Sequence, residues 1–452
     1  MSAAIFTTRY RVIVLDPDLN AILALPADGG WRLPGWESTE PRNWEDVAPV
    51  NAQLLKTLGL RLATLRAVAL DWSDGRRDSY YLAELLDPGW QPRCGATWLP
   101  ITEVSGLRWA EPQEAAQVAA WLAERPDERR VPWYNPGWFR VAGGWIACAL
   151  EAAGLELASP IAQLRSWQRC SLFRASTSAG DAYFKAVPPQ WGHEPALTAY
   201  LAGRFPALSP TMLASDADQG FLLLADFGGR PLADVDDPEA WTAAYTALGR
   251  MQRELADDVD VLRGLGVPIQ GPAEILPRIG LMLRDERRLR AGMEHGLEPG
   301  QVALLHAAEP DIIAACERLA TGPIPLSLDH GDFWPGNIRW TDAGPLIFDW
   351  SDATITHPFF SLVMAADEID GALPAHPDLR QRVIDAYLDV WTGFAPLDEL
   401  RAIFADAMLV APLHQALMYR DVYLPALEFI DELDRMPVVY LGWLAQQLAD
   451  DS

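Results

Sequence analysis

The 452-residue sequence predicts an α+β protein built from more than one domain. Three observations carry that expectation. The chain is too long for a single compact core, so two or three domains are expected. Residues 1–125 mix strand and helix patterns into an α/β unit. From about residue 161 strands come first and helices follow, the order of a two-lobed α+β body. In the first part, Tyr10–Leu15 and Ala21–Pro26 read as strands joined by the turn-rich DPDLN. A helix is expected from about Trp44 to Leu58, stopped by Gly59, then strands at Ala67–Asp71 and Ser79–Leu86 and a helix over Pro112–Arg125. Residues 126–160 read as a linker rich in proline, charge and aromatics, followed by a linking helix from Trp138. Residues 161–230 supply strands at Arg165–Thr177 and Asp181–Val187 around the SAGD turn, a helix at Glu194–Arg204 and a strand at Gly220–Ala225. Residues 231–452 are mostly helical, with a short β segment at 326–350.

Composition removes several functional classes. Half the residues are hydrophobic, which excludes a disordered chain. No apolar run reaches the roughly 18 residues of a membrane helix, and the start MSAAIFTTRY has no signal-peptide pattern. The 36 basic residues against 62 acidic ones leave a net charge of −26, without the basic footprint that nucleic acid requires. The same excess favours a cationic small molecule, and it equally serves solubility. Four scattered cysteines form neither a CxxC pair nor a zinc spacing, and they fit a reducing cytosol. The expectation is a cytoplasmic protein with no membrane and no nucleic-acid partner. Only Lys56 and Lys185 are lysine among the basic residues, so a retained lysine marks a place where a compact ammonium suits better than a guanidinium fork.

The segment LDHGDFWPGNIRWTDAGPLIFDW, residues 328–350, carries the chemistry. It holds His330-Gly331-Asp332, then Asn337 after four intervening residues, then Asp349 at the end of an apolar run. The strand-like stretches 338–340 and 346–348 flank TDAGP, and a hairpin centred on Ala343 would pair Trp340 with Leu346 and Asn337 with Asp349. An amide oxygen and a carboxylate converging at the open end are hard ligands suited to Mg²⁺. Asp332, on the loop leading in, is placed to accept a proton from an attacking hydroxyl. This is the arrangement of the phosphoryl-transfer template.

Residues 328–350 resemble the catalytic segment of the aminoglycoside phosphotransferase and choline kinase group, which has the protein-kinase-like fold. The resemblance implies a small-molecule kinase that uses ATP or GTP with Mg²⁺ and phosphorylates a hydroxyl. It gives Asp332 the catalytic role, and Asn337 and Asp349 the metal. It further implies that Lys185, in AYFKAV, contacts the α- and β-phosphates and that Glu194 pairs with it. Backbone groups near Leu224 and Ala225, in the hinge-like FLLLADFGGRPL, would hold the base. The turn expected over the phosphates, within WQRCSLFRAST, has no glycine; hydroxyls of Ser171 or Ser176 are the substitutes on offer. His357 stands where the family places an acidic residue, and a packing or turn role is expected for it.

Residues 1–125 resemble a Nudix domain through WRLPG, QLLKTLGL and SYYLAEL. The metal-binding glutamates of that family are replaced by Ala52, Gln53, Lys56 and Thr57, so a shell without hydrolase chemistry is expected. Acidic segments at 365–370 and 428–434 offer a place for a polyamine acceptor such as an aminoglycoside, and also simple surface solvation. A catalytically silent pseudokinase, nucleotide sensor or scaffold stays open as the alternative. The acceptor and the oligomeric state are not written in the sequence.

Overall fold

The computed structural model describes residues 7–73, 75–125, 127–430 and 433–450. Residues 1–6 of the N-terminal start, Pro126 at the expected linker boundary, and Asp431 and Glu432 of the second acidic segment lie outside the described residues. The chain divides into two compact units, Met1–Pro188 and Pro189–Ser452.

The first unit is built on a mixed seven-stranded sheet. Its strands are β1 (Thr7–Leu15), β2 (Ala21–Ala27), β3 (Gly30–Arg32), β4 (Gly35–Ser38), β5 (Leu62–Ser73), β6 (Arg76–Leu85) and β7 (Thr97–Pro100). β1 and β6 run parallel at the centre, and the other pairs are antiparallel. Because side chains alternate across a strand, β1 buries Val12 and Val14 on one face and Ile13 and Leu15 on the other. The helix Ala48–Leu58 covers the first face with Val50, Leu54 and Leu58, and the helix Pro112–Ala123 covers the second with Val118. Gly59 ends the first helix at φ 68°, the left-handed cap its sequence predicts.

That helix starts at Ala48, four residues later than the pattern suggests. Asp46 instead forms an antiparallel bridge with Arg165 of β8 (Ala162–Trp167), through Val47 N–H to Leu164 O and Ser166 N–H to Glu45 O, both 3.0 Å. The expected strand 165–177 is likewise two strands, β8 and β9 (Cys170–Thr177), broken by the two-residue turn Gln168–Arg169. Neither turn residue is Gly, Pro, Asn or Asp, so the break carries no local signal. β10 (Gly180–Ala186) completes the meander, with Lys185 opposite Leu172. The linking helix Trp138–Ala152 packs Trp138, Phe139 and Trp145 on Phe173 and Phe184.

The second unit begins with the helix His193–Arg204 and the antiparallel pair β11 (Met212–Asp216) and β12 (Phe221–Ala225). After the short β13 (Arg230–Pro231), helices dominate, chiefly Pro238–Leu255, Pro299–Thr321, Leu379–Asp389, Leu397–Met418 and Met436–Asp450. Into these are set β14 (Ser327–Asp329), β15 (Ile338–Thr341), β16 (Gly344–Ile347) and β17 (Thr354–Thr356). Contrary to the sequence expectation, one helical stretch among the described residues, Leu397–Ala426, is long and apolar enough to cross a membrane by composition. With 61% of its most apolar window buried inside the protein, it is packed as a core helix.

Candidate active site

The HGD turn follows directly from β14, whose three residues are buried and pair with β17. Gly331 sits at φ +76°, a conformation that only glycine adopts without strain. A Cβ there would meet the backbone oxygen of Asp352 at 2.1 Å. The next residue, Asp332, lies at the surface of this turn, and its main chain is gripped from the far side: Asn337 Nδ2 donates to Asp332 O at 2.9 Å and to Asp332 Oδ2 at 3.0 Å. With both amide hydrogens spent on Asp332, Asn337 presents its Oδ1 as an acceptor.

The hairpin register differs from the expected one. Ile338 pairs with Ile347, Trp340 with Pro345 and Thr341 with Gly344, so the turn is the two residues Asp342 and Ala343. Asn337 therefore faces Phe348, whose N–H donates to Asn337 O at 3.2 Å, and Asp349 is one position beyond. The tight turn is set by Thr341, whose hydroxyl donates to Gly344 O and accepts from Ala343 N. A one-residue slip turns a side chain to the opposite face. Asp349 itself sits at φ +67°, left-handed and strained for a non-glycine residue. Ser351 Oγ donates to Asp349 Oδ1 at 3.0 Å and steadies that carboxylate.

Of the other expected residues, Leu224 and Ala225 end β12, and the Ala225 N–H is donated to Thr211 O at 3.0 Å. The loop that follows is joined to the catalytic hairpin by Phe227 against Phe348, ring centroids 5.1 Å apart, and by Arg230 pairing with Trp340. Glu194 lies in the first turn of its helix, buried rather than exposed. Lys185 belongs to the first unit, on β10. Ser171 is fully buried and its hydroxyl donates to Arg165 O, so it is turned away from solvent. His357 is buried and caps the 3₁₀ turn Pro358–Leu362 by accepting from Phe359 N, the turn role expected of it.

A buried polar network beneath the HGD turn has no signal in the sequence. Gln252, from the helix Pro238–Leu255, donates to Leu328 O, Pro358 O and Ser361 Oγ, and accepts from Tyr387 Oη at 2.6 Å. Ser361 donates to Asp329 Oδ1, His330 Nε2 meets Phe348 O at 3.0 Å, and Gln415 Nε2 donates to Gly331 O at 2.9 Å. Behind the turn, Trp191 Nε1 donates to Asp352 Oδ1 at 3.0 Å. These partners lie tens of residues away in sequence, where no local spacing links them. Trp334, beside Asp332 and 39% exposed, folds its ring over Gly336, where a Cβ would clash.

Burial sets an acid sensitivity in this network. It lowers the His357 imidazole to about 3, and lowers His414 to about 3 with help from the Arg278 charge. Burial raises Asp329 to about 6, against the hydrogen bonds of Ser361, Gly331 and His330. The two histidines are neutral when folded and take up protons below about pH 6.5 when unfolded. Asp329 works in the opposite sense, holding its proton in the folded state up to about pH 6 and losing it near 4 when unfolded. Between about pH 6 and 4 the unfolded chain thus binds two more protons at histidine and one fewer at aspartate, net about one. Stability from these groups is present above that window and falls on acidification by roughly 1.4 kcal/mol per pH unit. In urea titrations His414→Phe should flatten the dependence by about one proton; an unaltered slope would remove His414 from the account.

Asp332 on the HGD turn, with Asn337 and Asp349 at the two ends of the hairpin that follows, is the arrangement the sequence expectation named. The chain belongs to the phosphotransferase enzyme family, whose family model matches residues 173–400. It is a small-molecule phosphotransferase with an alcohol group as acceptor. Among solved structures it is similar to a candidate fructosamine-3-kinase from Thermobifida fusca, at 24% identity and TM-score 0.44, covering 67% of this chain and 96% of that one. A choline/ethanolamine kinase family protein from Mesorhizobium loti matches at 18% identity and TM-score 0.44, over 69% and 94%. An ADP-bound aminoglycoside phosphotransferase matches at 13% identity and TM-score 0.43, over 67% and 99%. No curated protein matches the sequence.

Proposed function

We propose that the chain transfers the γ-phosphoryl group of ATP, or of GTP, to a hydroxyl of a small cationic acceptor such as an amino alcohol or amino sugar, in the cytoplasm. The observation that carries this reading is the direct contact of Asn337 with the Asp332 carboxylate, which joins the proton acceptor and a metal ligand in one rigid turn. Asp332 accepts the acceptor's hydroxyl proton as the new O–P bond forms. Lys185 steadies the α- and β-phosphates, Glu194 orients Lys185, and backbone groups at Leu224 and Ala225 hold the base; these roles rest on the family resemblance.

The donor set fits Mg²⁺. Asn337 Oδ1 and the Asp349 carboxylate are hard oxygens, and with nucleotide phosphates and water they make up an octahedral shell. Among the described residues no three His, Cys, Asp or Glu side chains cluster as a metal site. Bound there, Mg²⁺ would neutralise the charge developing on the transferred group. The domain reading follows the same lines: 1–125 Nudix-like and hydrolytically silent, 126–160 linking, 161–230 and 231–452 the two lobes. In the helix Ala48–Leu58, Ala52, Lys56 and Thr57 are exposed and supply no carboxylate.

MgATP binding and turnover test the reading. Asp349→Ala is expected to lose the Mg²⁺-dependent part of nucleotide binding, at least tenfold in Kd, because one of two protein ligands is gone. Mg²⁺-independent binding of equal strength in wild type and variant would remove Asp349 from the metal. The glycine-free turn Gln168–Arg169 favours a second reading, a nucleotide-binding protein without turnover; wild type that binds MgATP but transfers to neither water nor a hydroxyl-compound panel would select it.

A further inference from the structure

The turn expected to cover the nucleotide phosphates, Trp167–Cys170, lies between β8 and β9 in the first unit, and it is held from outside by the N-terminal layer of that unit. Glu45–Val47 extend β8 by two backbone hydrogen bonds of 3.0 Å, with Asp46 also paired to Arg165 at 3.2 Å. Gln163 docks its amide on Thr64 as a strand would, accepting from Thr64 N and donating to Thr64 O, each at 2.8 Å. Ser166 Oγ donates to Leu65 O at 2.5 Å. At the turn itself, the buried Trp133 donates Nε1–H to Trp167 O at 2.8 Å, and Trp44 sets its ring edge-on to Trp167 at 6.3 Å. Trp167 in turn donates Nε1–H to Cys170 Sγ at 3.1 Å across the turn, and the Arg169 guanidinium lies over the Trp167 ring.

We propose that Trp133, with the Glu45–Val47 segment, is a positioning residue for the phosphotransferase: it fixes the main chain of the phosphate-covering turn, and the N-terminal layer is thereby a working part of the enzyme. This rests on the nucleotide reading above. A glycine-rich turn adapts to phosphate because its backbone is free. This turn has no such freedom, so its shape must be imposed, and contacts from residues 44–65 and Trp133 help to impose it. With the turn pre-set, less conformational entropy is lost when nucleotide binds.

Trp133→Phe keeps an aromatic ring, smaller than the indole, and removes the hydrogen bond to Trp167 O. The full-length variant is expected to raise the Kd for MgATP about five- to tenfold, the worth of one hydrogen bond, while kcat at saturating ATP changes less than about twofold. Amide exchange over 166–170, slow in nucleotide-free wild type, becomes fast. Ser166→Ala, a smaller deletion that should fold if the first variant does not, shifts Kd the same way by less. Leu55→Ala, on an exposed position of the same layer, leaves Kd at the wild-type value. If wild type binds and turns over MgATP while Trp133→Phe and Ser166→Ala keep its Kd and slow exchange, the inference fails and the phosphotransferase reading stands. If the two variants lose kcat and kcat/KM equally, the residues act on folding alone and the inference fails. If wild type binds no MgATP, both fall.

Discussion

Asp332→Asn is expected to lower phosphoryl transfer about 10²- to 10⁴-fold while MgATP binding stays within about twofold of wild type. The substitution keeps the size of the side chain and a carbonyl oxygen for Asn337 Nδ2, which reaches Asp332 Oδ2 at 3.0 Å, so the turn is preserved. What is lost is the negative oxygen that takes the hydroxyl proton. The split between binding and rate is the informative quantity, because an interaction made only in the transition state leaves nucleotide affinity untouched. Calorimetry of MgATP binding together with ADP release from MgATP, first with water and then with a hydroxyl-compound panel, gives both numbers. Turnover within tenfold of wild type would take the proton-accepting role away from Asp332 and give the turn a purely structural one.

Gly331→Ala should strongly damage the second unit. The residue is at φ +76°, and the added Cβ would lie 2.1 Å from Asp352 O, 2.7 Å from its carbonyl carbon and 2.9 Å from its Cβ. Two of these three atoms are main chain, so no rotamer change relieves the contact. The left-handed conformation alone costs about 1 kcal/mol for alanine, and displacement of the packed backbone adds to it, for a total of about 3 kcal/mol or more. The shift falls on the residue next to Asp332, and a misplacement of about 1 Å at a reacting group costs on the order of 10²-fold in rate. Urea midpoint and turnover should drop together. Gly371→Ala, where a Cβ meets nothing within 4 Å, should alter neither, and a Gly331→Ala protein with normal midpoint and rate contradicts the packing described here.

Much of the site is visible in residue order. Asp332, Asn337 and Asp349 fall within a 23-residue segment, 328–350, on one turn and one hairpin, and local elements are legible from local spacing. The mixed α/β character of residues 1–125 is legible in the same way, from its strand and helix patterns, whereas the layering of helices on both faces of the sheet is read from the packed structure. The hairpin register was not legible: TDAGP offers turns centred on one residue or between two, and the choice rests on hydrogen bonds of Thr341 with Gly344 O and Ala343 N. Nor does any residue preference announce the left-handed Asp349.

Where a contact joins distant segments, residue order is silent. Gln252 binds Leu328 O, Pro358 O and Ser361 Oγ across 76, 106 and 109 residues, and Trp133 binds Trp167 O across 34. The sequence alone therefore carries the reaction class, through the identity and spacing of a few hard-oxygen side chains. Its backbone periods also carry the strand and helix content. Folding in three dimensions settles the exact face that each side chain presents, the network that holds the HGD turn, and the tryptophan grip on a turn without glycine. The reason is physical: spacing encodes neighbours a few residues apart, whereas burial brings together polar groups that must find partners wherever the packed chain happens to place them.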